Sequence, residues 1–262
     1  MSGTGARGAG RSSEAPSGGE EPAAATPRRL RIAALGDLHV GDTERHPYRE
    51  LFAEIAQNAD VMVLCGDLTN LGAVKEAEIL AEDLSACPIA KIGVLGNHDY
   101  ECNCVEAVSE VLRQSGLTLL EGQATEIEGV SFVGAKGFAG GFGRYLLSSF
   151  GEAATKAFVA EGVQEALRLE NAMRNAKSHR VLVVLHYAPI LETCQGEPAE
   201  IFPFLGSSRL AETIDRFPVN AIVHGHAHHG TFEGRTPGGI PVFNVATRIP
   251  KPGGRPYHIL EI

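Results

Sequence analysis

Short unbroken apolar runs alternate with segments of helical spacing along most of this chain. Residues 30–35, 61–65 and 89–95 are apolar and bounded by glycine, the pattern of parallel strands buried on both faces. Between them, 47–56 and 73–84 carry helical spacing, with Pro47 suited to a first helical turn. This alternation predicts right-handed crossovers within one sheet. After a further helix at 105–114, the pattern shifts to short strands at 117–120, 125–127 and 131–133. Residues 134–143 are too glycine-rich for a regular element and read as a mobile loop. A long helical pattern follows at 152–177, with Ala157, Val163, Ala166 and Leu167 among its apolar positions. A strand at 180–185, a helix at 207–216, a strand at 221–223 and three more strands complete the chain.

Composition divides the chain unevenly. Residues 1–27 are mostly Gly, Ala, Ser, Glu and Pro, and cannot bury enough apolar surface to offset their ordering entropy. They read as a disordered tail, leaving 28–262 as one α/β domain. The tail has arginines but no apolar core of a secretory signal, and no run reaches the length of a membrane span. The expectation is a cytoplasmic protein with no membrane partner. A net charge of −9 argues against a nucleic-acid polymer held by a basic face. The five cysteines are odd in number and lack zinc-type spacing. Cys65 and Cys87 fall in or beside apolar runs and read as small buried residues, whereas Cys102 and Cys104 follow a polar loop.

That loop is one of five polar signatures, each placed where an apolar run ends. They are Asp37-Leu38-His39, Gly66-Asp67-Leu68-Thr69-Asn70, Gly96-Asn97-His98-Asp99, His186, and His224-Gly225-His226. In open α/β sheets ligands bind at the carboxyl ends of strands, where these signatures fall. Their aspartates, asparagine and histidines form a hard oxygen-and-imidazole set suited to two adjacent divalent metals. In order and spacing the five signatures resemble the calcineurin-like metallophosphoesterase superfamily, in particular its small phosphodiesterase-like branch, over roughly residues 30–250.

The resemblance implies two mixed β-sheets packed as a sandwich with flanking helices. It implies two divalent ions, Mn, Fe, Mg or Zn, the first held by Asp37, His39 and His226 and the second by Asn97, His186 and His224, with Asp67 bridging. It casts His98 as the catalytic residue, assisting the leaving group while a metal-bridging hydroxide attacks a small phosphate ester. Many relatives carry aspartate three residues after the bridging carboxylate, to orient that histidine. Here Asn70 stands in its place, so its amide oxygen is expected to take the hydrogen bond, with Asp99 supplying negative charge nearby. His228 and His229 read as exposed loop residues, and Arg144, Arg209 and Arg248 as potential phosphate contacts with ordinary salt-bridge alternatives. The branch resemblance favours diesters. A phosphomonoesterase or phosphoprotein phosphatase, or a non-catalytic metal-binding scaffold, are the alternatives. Substrate choice is assigned to loops 134–150 and 187–206.

Overall fold

The computed structural model describes residues 28–262, together with residues 1, 3–5 and 8; the remainder of the expected tail lies outside the described residues. Strands β1 (Arg31–Leu35), β2 (Val61–Cys65), β3 (Ala90–Val94) and β4 (Leu117–Leu119) run parallel and are joined by helices α1 (Arg49–Asn58), α2 (Val74–Ala86) and α3 (Val105–Gln114). Strand β11 (His258–Glu261) closes this five-stranded sheet, antiparallel to β1. The second sheet has the order β5 (Gln123–Ile127), β6 (Val130–Gly134), β7 (Val181–Val184), β8 (Ala221–His224), β10 (Pro241–Asn244), β9 (Glu233–Arg235). Only its two edge strands are antiparallel. Helices α4 (Ala153–Arg174), α5 (Phe202–Leu205) and α6 (Ser208–Ile214) belong to this half.

Both faces of each central strand are buried, which explains the unbroken apolar runs. Ile32, Ala34, Val61, Val63 and Cys65 meet Phe132, Leu182, Val184 and Val223 of the other sheet. The alternate residues Ala33, Leu35, Met62 and Leu64 pack on the helices of their own side. A matching layer of Val133, Val183, Leu185 and Ile222 packs against Leu169, Leu210 and Ile214. The result is a four-layer α/β/β/α sandwich with flanking helices, as expected. No helix among the described residues is long and apolar enough to cross a membrane.

Three local expectations need correction. Pro47 precedes its helix, which starts at Arg49 after Tyr48. On α4 the buried side is Val159, Gly162, Ala166 and Leu169, while Val163 and Leu167 are exposed. The glycine-rich segment read as mobile is pinned instead. Gly140 N–H donates to Pro203 O at 2.8 Å and Gly141 N–H to Gly206 O at 2.9 Å, and residues 139–142 are buried.

Asp99 also departs from its expected role. Its carboxylate is fully buried and accepts from Gly96 N (2.8 Å), Leu68 N (3.3 Å), Thr69 N (2.8 Å) and Thr69 Oγ1 (2.6 Å). It therefore ties the loop after β2 to the loop after β3. Burial pushes its carboxyl up to about 6, against the opposing pull of these hydrogen bonds. Replacing Asp99 with Ala orphans three buried backbone N–H groups, so unfolding in urea should show a loss of about 3 kcal/mol or more. A loss below about 1 kcal/mol would mean that the loops hold together without it.

Candidate metal centre

The carboxyl ends of the parallel strands of both sheets meet at one edge of the sandwich. Asp37 N–H donates to Gly66 O and His39 N–H to Asp67 O, both at 2.9 Å, so the loops after β1 and β2 lie side by side. Gly225 N–H donates to His186 O at 3.2 Å within the second sheet, and Gly36 N–H to Val245 O at 3.0 Å links the two sheets across this edge. To turn so sharply, Asp37, His39, Asp67 and His226 take positive φ of 61°, 46°, 49° and 71°. Each such residue costs on the order of 1 kcal/mol, and strain of this kind clusters at functional sites. Two glycines make the close approach possible. A Cβ on Gly96 would overlap the Asp67 carboxylate, and one on Gly225 would overlap that of Asp37.

Two groups of ligand-type atoms result. In the first, Asp37, His39, Asp67 and His228 converge, and in the second, Asp67, His186 and His226; within each group the ligand atoms lie within 4.8 Å of one another. Asp67 belongs to both. Its Oδ2 is 3.7 Å from His39 Nε2 and its Oδ1 is 3.4 Å from His186 Nε2.

The second group is short of a positive charge. His186 Nδ1 lies 2.9 Å from Cys65 O, an acceptor, so that nitrogen carries the proton. The lone pair of Nε2 then faces Asn97 Oδ1 at 2.9 Å and Asp67 Oδ1, also acceptors. Protonating the ring would relieve this, but burial holds the His186 pKa well below its usual value. A cation between the three acceptors satisfies them all. In the first group, His39 Nε2 and His228 Nε2 lie 3.4 Å apart, and His228 Nε2 is 2.9 Å from Asp37 Oδ1. Burial lowers His39 to about 4 and His226 to about 3, keeping both imidazoles neutral and able to ligate. His228 is raised, chiefly by its hydrogen bond to Asp37, whose own carboxyl burial pushes up to about 6. Oxygen and imidazole donors in this arrangement fit two divalent ions.

Most expected site residues are assembled here, with three corrections. His224 is not in either group: it closes β8, fully buried, with Nε2 2.8 Å from Thr193 Oγ1 and Nδ1 2.7 Å from Gly225 O. His226 moves to the second group, and His228 takes the place in the first that was expected of His226. The signal was present in the chain. Asp37, Asp67 and Asn97 each follow a glycine, and the histidine that follows Gly225 is His226, with His228 two residues on. The third correction concerns Asn70. His98 Nδ1 lies 2.6 Å from the backbone O of Asn70, not its amide, while His98 N–H donates to Asp67 Oδ1 at 2.9 Å. The His98 ring stands edge-on to that of His39 at 4.5 Å between centroids.

The surroundings are uneven in charge. Arg144 bonds Tyr145 and Arg209 bonds Leu147 O, whereas the charge of Arg248 reaches His39 and His228. Lys136 O accepts from both His186 N and Tyr187 N at 3.1 Å, which fixes the backbone beneath His186. Cys65 and Cys87 are buried and Cys102 and Cys104 exposed; none lies in either ligand group.

Residues 30–230 match the family profile described as calcineurin-like phosphoesterase. No curated protein sequence matches the chain significantly. Among solved structures, the chain resembles the phosphopantetheinyl hydrolase PptH of Mycobacterium tuberculosis, with a TM-score of 0.62 and 13% identity over 90% of this chain and 97% of that one. The protein TT1561 of Thermus thermophilus is similar at a TM-score of 0.52 and 16% identity, covering 83% of this chain and 89% of the other. A putative 5′-nucleotidase from Staphylococcus aureus matches at 0.52 and 14% identity over 85% of this chain and 49% of its own. At these identities the likeness is one of fold; with the family match over most of its length and the ligand groups at the strand ends, the chain belongs to the calcineurin-like phosphoesterase family.

Proposed function

We propose that this metal-dependent phosphoesterase hydrolyses small phosphate diesters, with residues 28–262 carrying the chemistry and two divalent ions as cofactors. The observation that carries the reading is the shared carboxylate of Asp67, with one oxygen toward His39 and the other toward His186. Asp37, His39 and His228 would hold one ion and Asn97, His186 and His226 the other, with Asp67 common to both. Ions in those places supply Lewis acidity toward a phosphoryl oxygen and a nucleophile at neutral pH.

The chain's own residues do the rest. Donation from Nδ1 to Asn70 O holds the His98 ring in place and leaves Nε2 free to face substrate. When the ring is protonated, Nε2–H can give its proton to the departing oxygen. His98 N–H on Asp67 couples that ring to the shared carboxylate. The test is turnover of the metal-loaded protein against paired mono- and diesters, with metal content measured on the same sample. Turnover that favours monoesters would move the reading to a phosphomonoesterase. Two bound metals without turnover of either would leave a scaffold.

The corrected ligand set separates two histidines. His228→Ala should lower bound metal from roughly two ions per chain toward one and cut turnover by at least about 10²-fold. His224→Ala should keep its metal and instead lose about 2–4 kcal/mol of stability, because the bonds to Thr193 and Gly225 disappear and a fully buried ring leaves a cavity. Elemental analysis and urea unfolding of both variants decide the matter, and the reverse pattern would restore His224 as a ligand.

His98→Ala should retain both metals and lose about 10²–10⁴-fold in rate, the scale of a missing acid–base group. Loss of metal in that variant would make His98 structural.

Because a backbone carbonyl orients His98, Asn70→Ala should keep its metals and stay within a few-fold of the parent rate. A rate loss in Asn70→Ala on the scale of His98→Ala would show that the side chain takes part after all.

A further inference from the structure

The two segments to which substrate choice is assigned meet beside the metal groups and build one apolar face. Gly141 N–H donates to Gly206 O (2.9 Å), Ala188 N–H to Leu205 O (3.0 Å) and Ser207 N–H to Ala188 O (3.0 Å), zipping residues 140–147, 187–190 and 203–208 together. Beneath them Phe142, Ala188, Leu205 and Ala227 form a small buried cluster, and Ala227 lies between the ligand-type residues His226 and His228. The face is thus continuous with the metal loop and packed against it.

Aromatic rings lead outward from that loop. The Tyr187 ring lies 4.6 Å from that of His226, Phe138 is 5.8 Å from Tyr187, and Phe158 is 5.0 Å from Phe138. Phe204 is 6.2 Å from Phe158, and its carbonyl lies 3.2 Å from His226 Nε2. At the outer end the rings are open to solvent: Phe204 is 58% exposed, Tyr145 70% and Phe150 81%, with Leu147 and Ile201 also exposed. These five are half of the large apolar side chains that the described part of the molecule leaves in water, and all come from residues 145–150 and 201–204. Exposed apolar patches that adjoin a polar centre mark binding surfaces.

We propose that this face binds the alcohol portion of the substrate, so that the enzyme selects phosphate esters with a bulky apolar alcohol. The inference rests on the phosphoesterase reading above, since the alcohol is placed by a phosphoryl group at the metal groups. The occupant follows from continuity: the Phe204 carbonyl lies 3.2 Å from His226 Nε2 and the exposed Phe204 ring adjoins Phe158, so an ester held at the metal groups has this apolar ring beside it for its alcohol. The backbone of this face is already tied by the hydrogen bonds above, so little main-chain freedom is lost on binding.

The experiment keeps the leaving group constant. Metal-loaded full-length protein is assayed with methyl, phenyl and octyl p-nitrophenyl phosphate. We expect kcat/KM to rise by about tenfold or more from methyl to phenyl, the scale of burying one ring. Phe204→Ala and Phe158→Ala should collapse that ratio, and Phe204→Leu should keep part of it. Calorimetry with phenylphosphonate and methylphosphonate reads the same preference without turnover. A flat series in the wild type, or an undiminished ratio in both alanine variants, overturns the proposal; a face that serves a membrane or a protein partner would give that result. Failure to turn over even the methyl ester would instead sink the phosphoesterase reading, and calorimetry would still decide whether the face prefers the phenyl group.

Discussion

Everything at this site depends on one carboxylate held between two sets of imidazoles. Asp67 sits at the end of a buried strand, where its side chain has no water to compensate for its charge. Its oxygens face His39 on one side and His186 on the other, with burial holding both rings neutral. Without cations such a group leaves acceptor facing acceptor, a costly state in a low-dielectric interior. With cations the same arrangement becomes strongly favourable. The architecture is best understood as the scaffold that enforces this otherwise unfavourable proximity. Two mixed sheets stack so that the carboxyl ends of their parallel strands coincide, glycines remove the Cβ atoms that would keep the loops apart, and Asp99 ties two of those loops with three hydrogen bonds.

The sandwich was legible because its central strands are apolar on both faces, which leaves a continuous run rather than an alternation. Edges and loops were less legible. Val163 and Leu167 are apolar positions of the helical pattern, but α4 turns them outward and buries Gly162 and Glu165. Glu165 accepts Gly137 N–H at 2.9 Å and pairs with Arg168, so a charged residue fills an inward position that periodicity assigns to an apolar one. The glycine-rich segment 134–143 misled in the opposite direction, since its glycines serve close backbone contact with residues 203–206 and not freedom of motion.

Within the candidate site the error was one of register. Two overlapping His-x-His patterns stand in His224-Gly225-His226-Ala227-His228, and the hydrophobic run gives no sign of which histidine closes the strand. The ladder decides it: His224 pairs with Asn244 inside the sheet and is consumed by the strand, so the chain leaves the sheet only at Gly225. Asn70 and Asp99 were legible as neighbours of His98 but not as to which atom acts. Side-chain identity says little when a backbone carbonyl, as at Asn70, supplies the contact.

Left-handed backbone at Asp37, His39, Asp67 and His226 completes the physical picture. These residues carry conformational strain and electrostatic strain at the same positions, and all four belong to the ligand groups. Strain elsewhere would simply lower stability. Placed here, its cost can be offset by what binds at the centre, which would couple metal binding to local order. The apolar cluster of Phe142, Ala188, Leu205 and Ala227 lies against the same loop. Packing against this cluster adds to the hydrogen bonds that hold the loop. The face that borders the centre is therefore also part of what holds the centre in shape, and changes made there to alter substrate preference act on a surface whose inner side is structural.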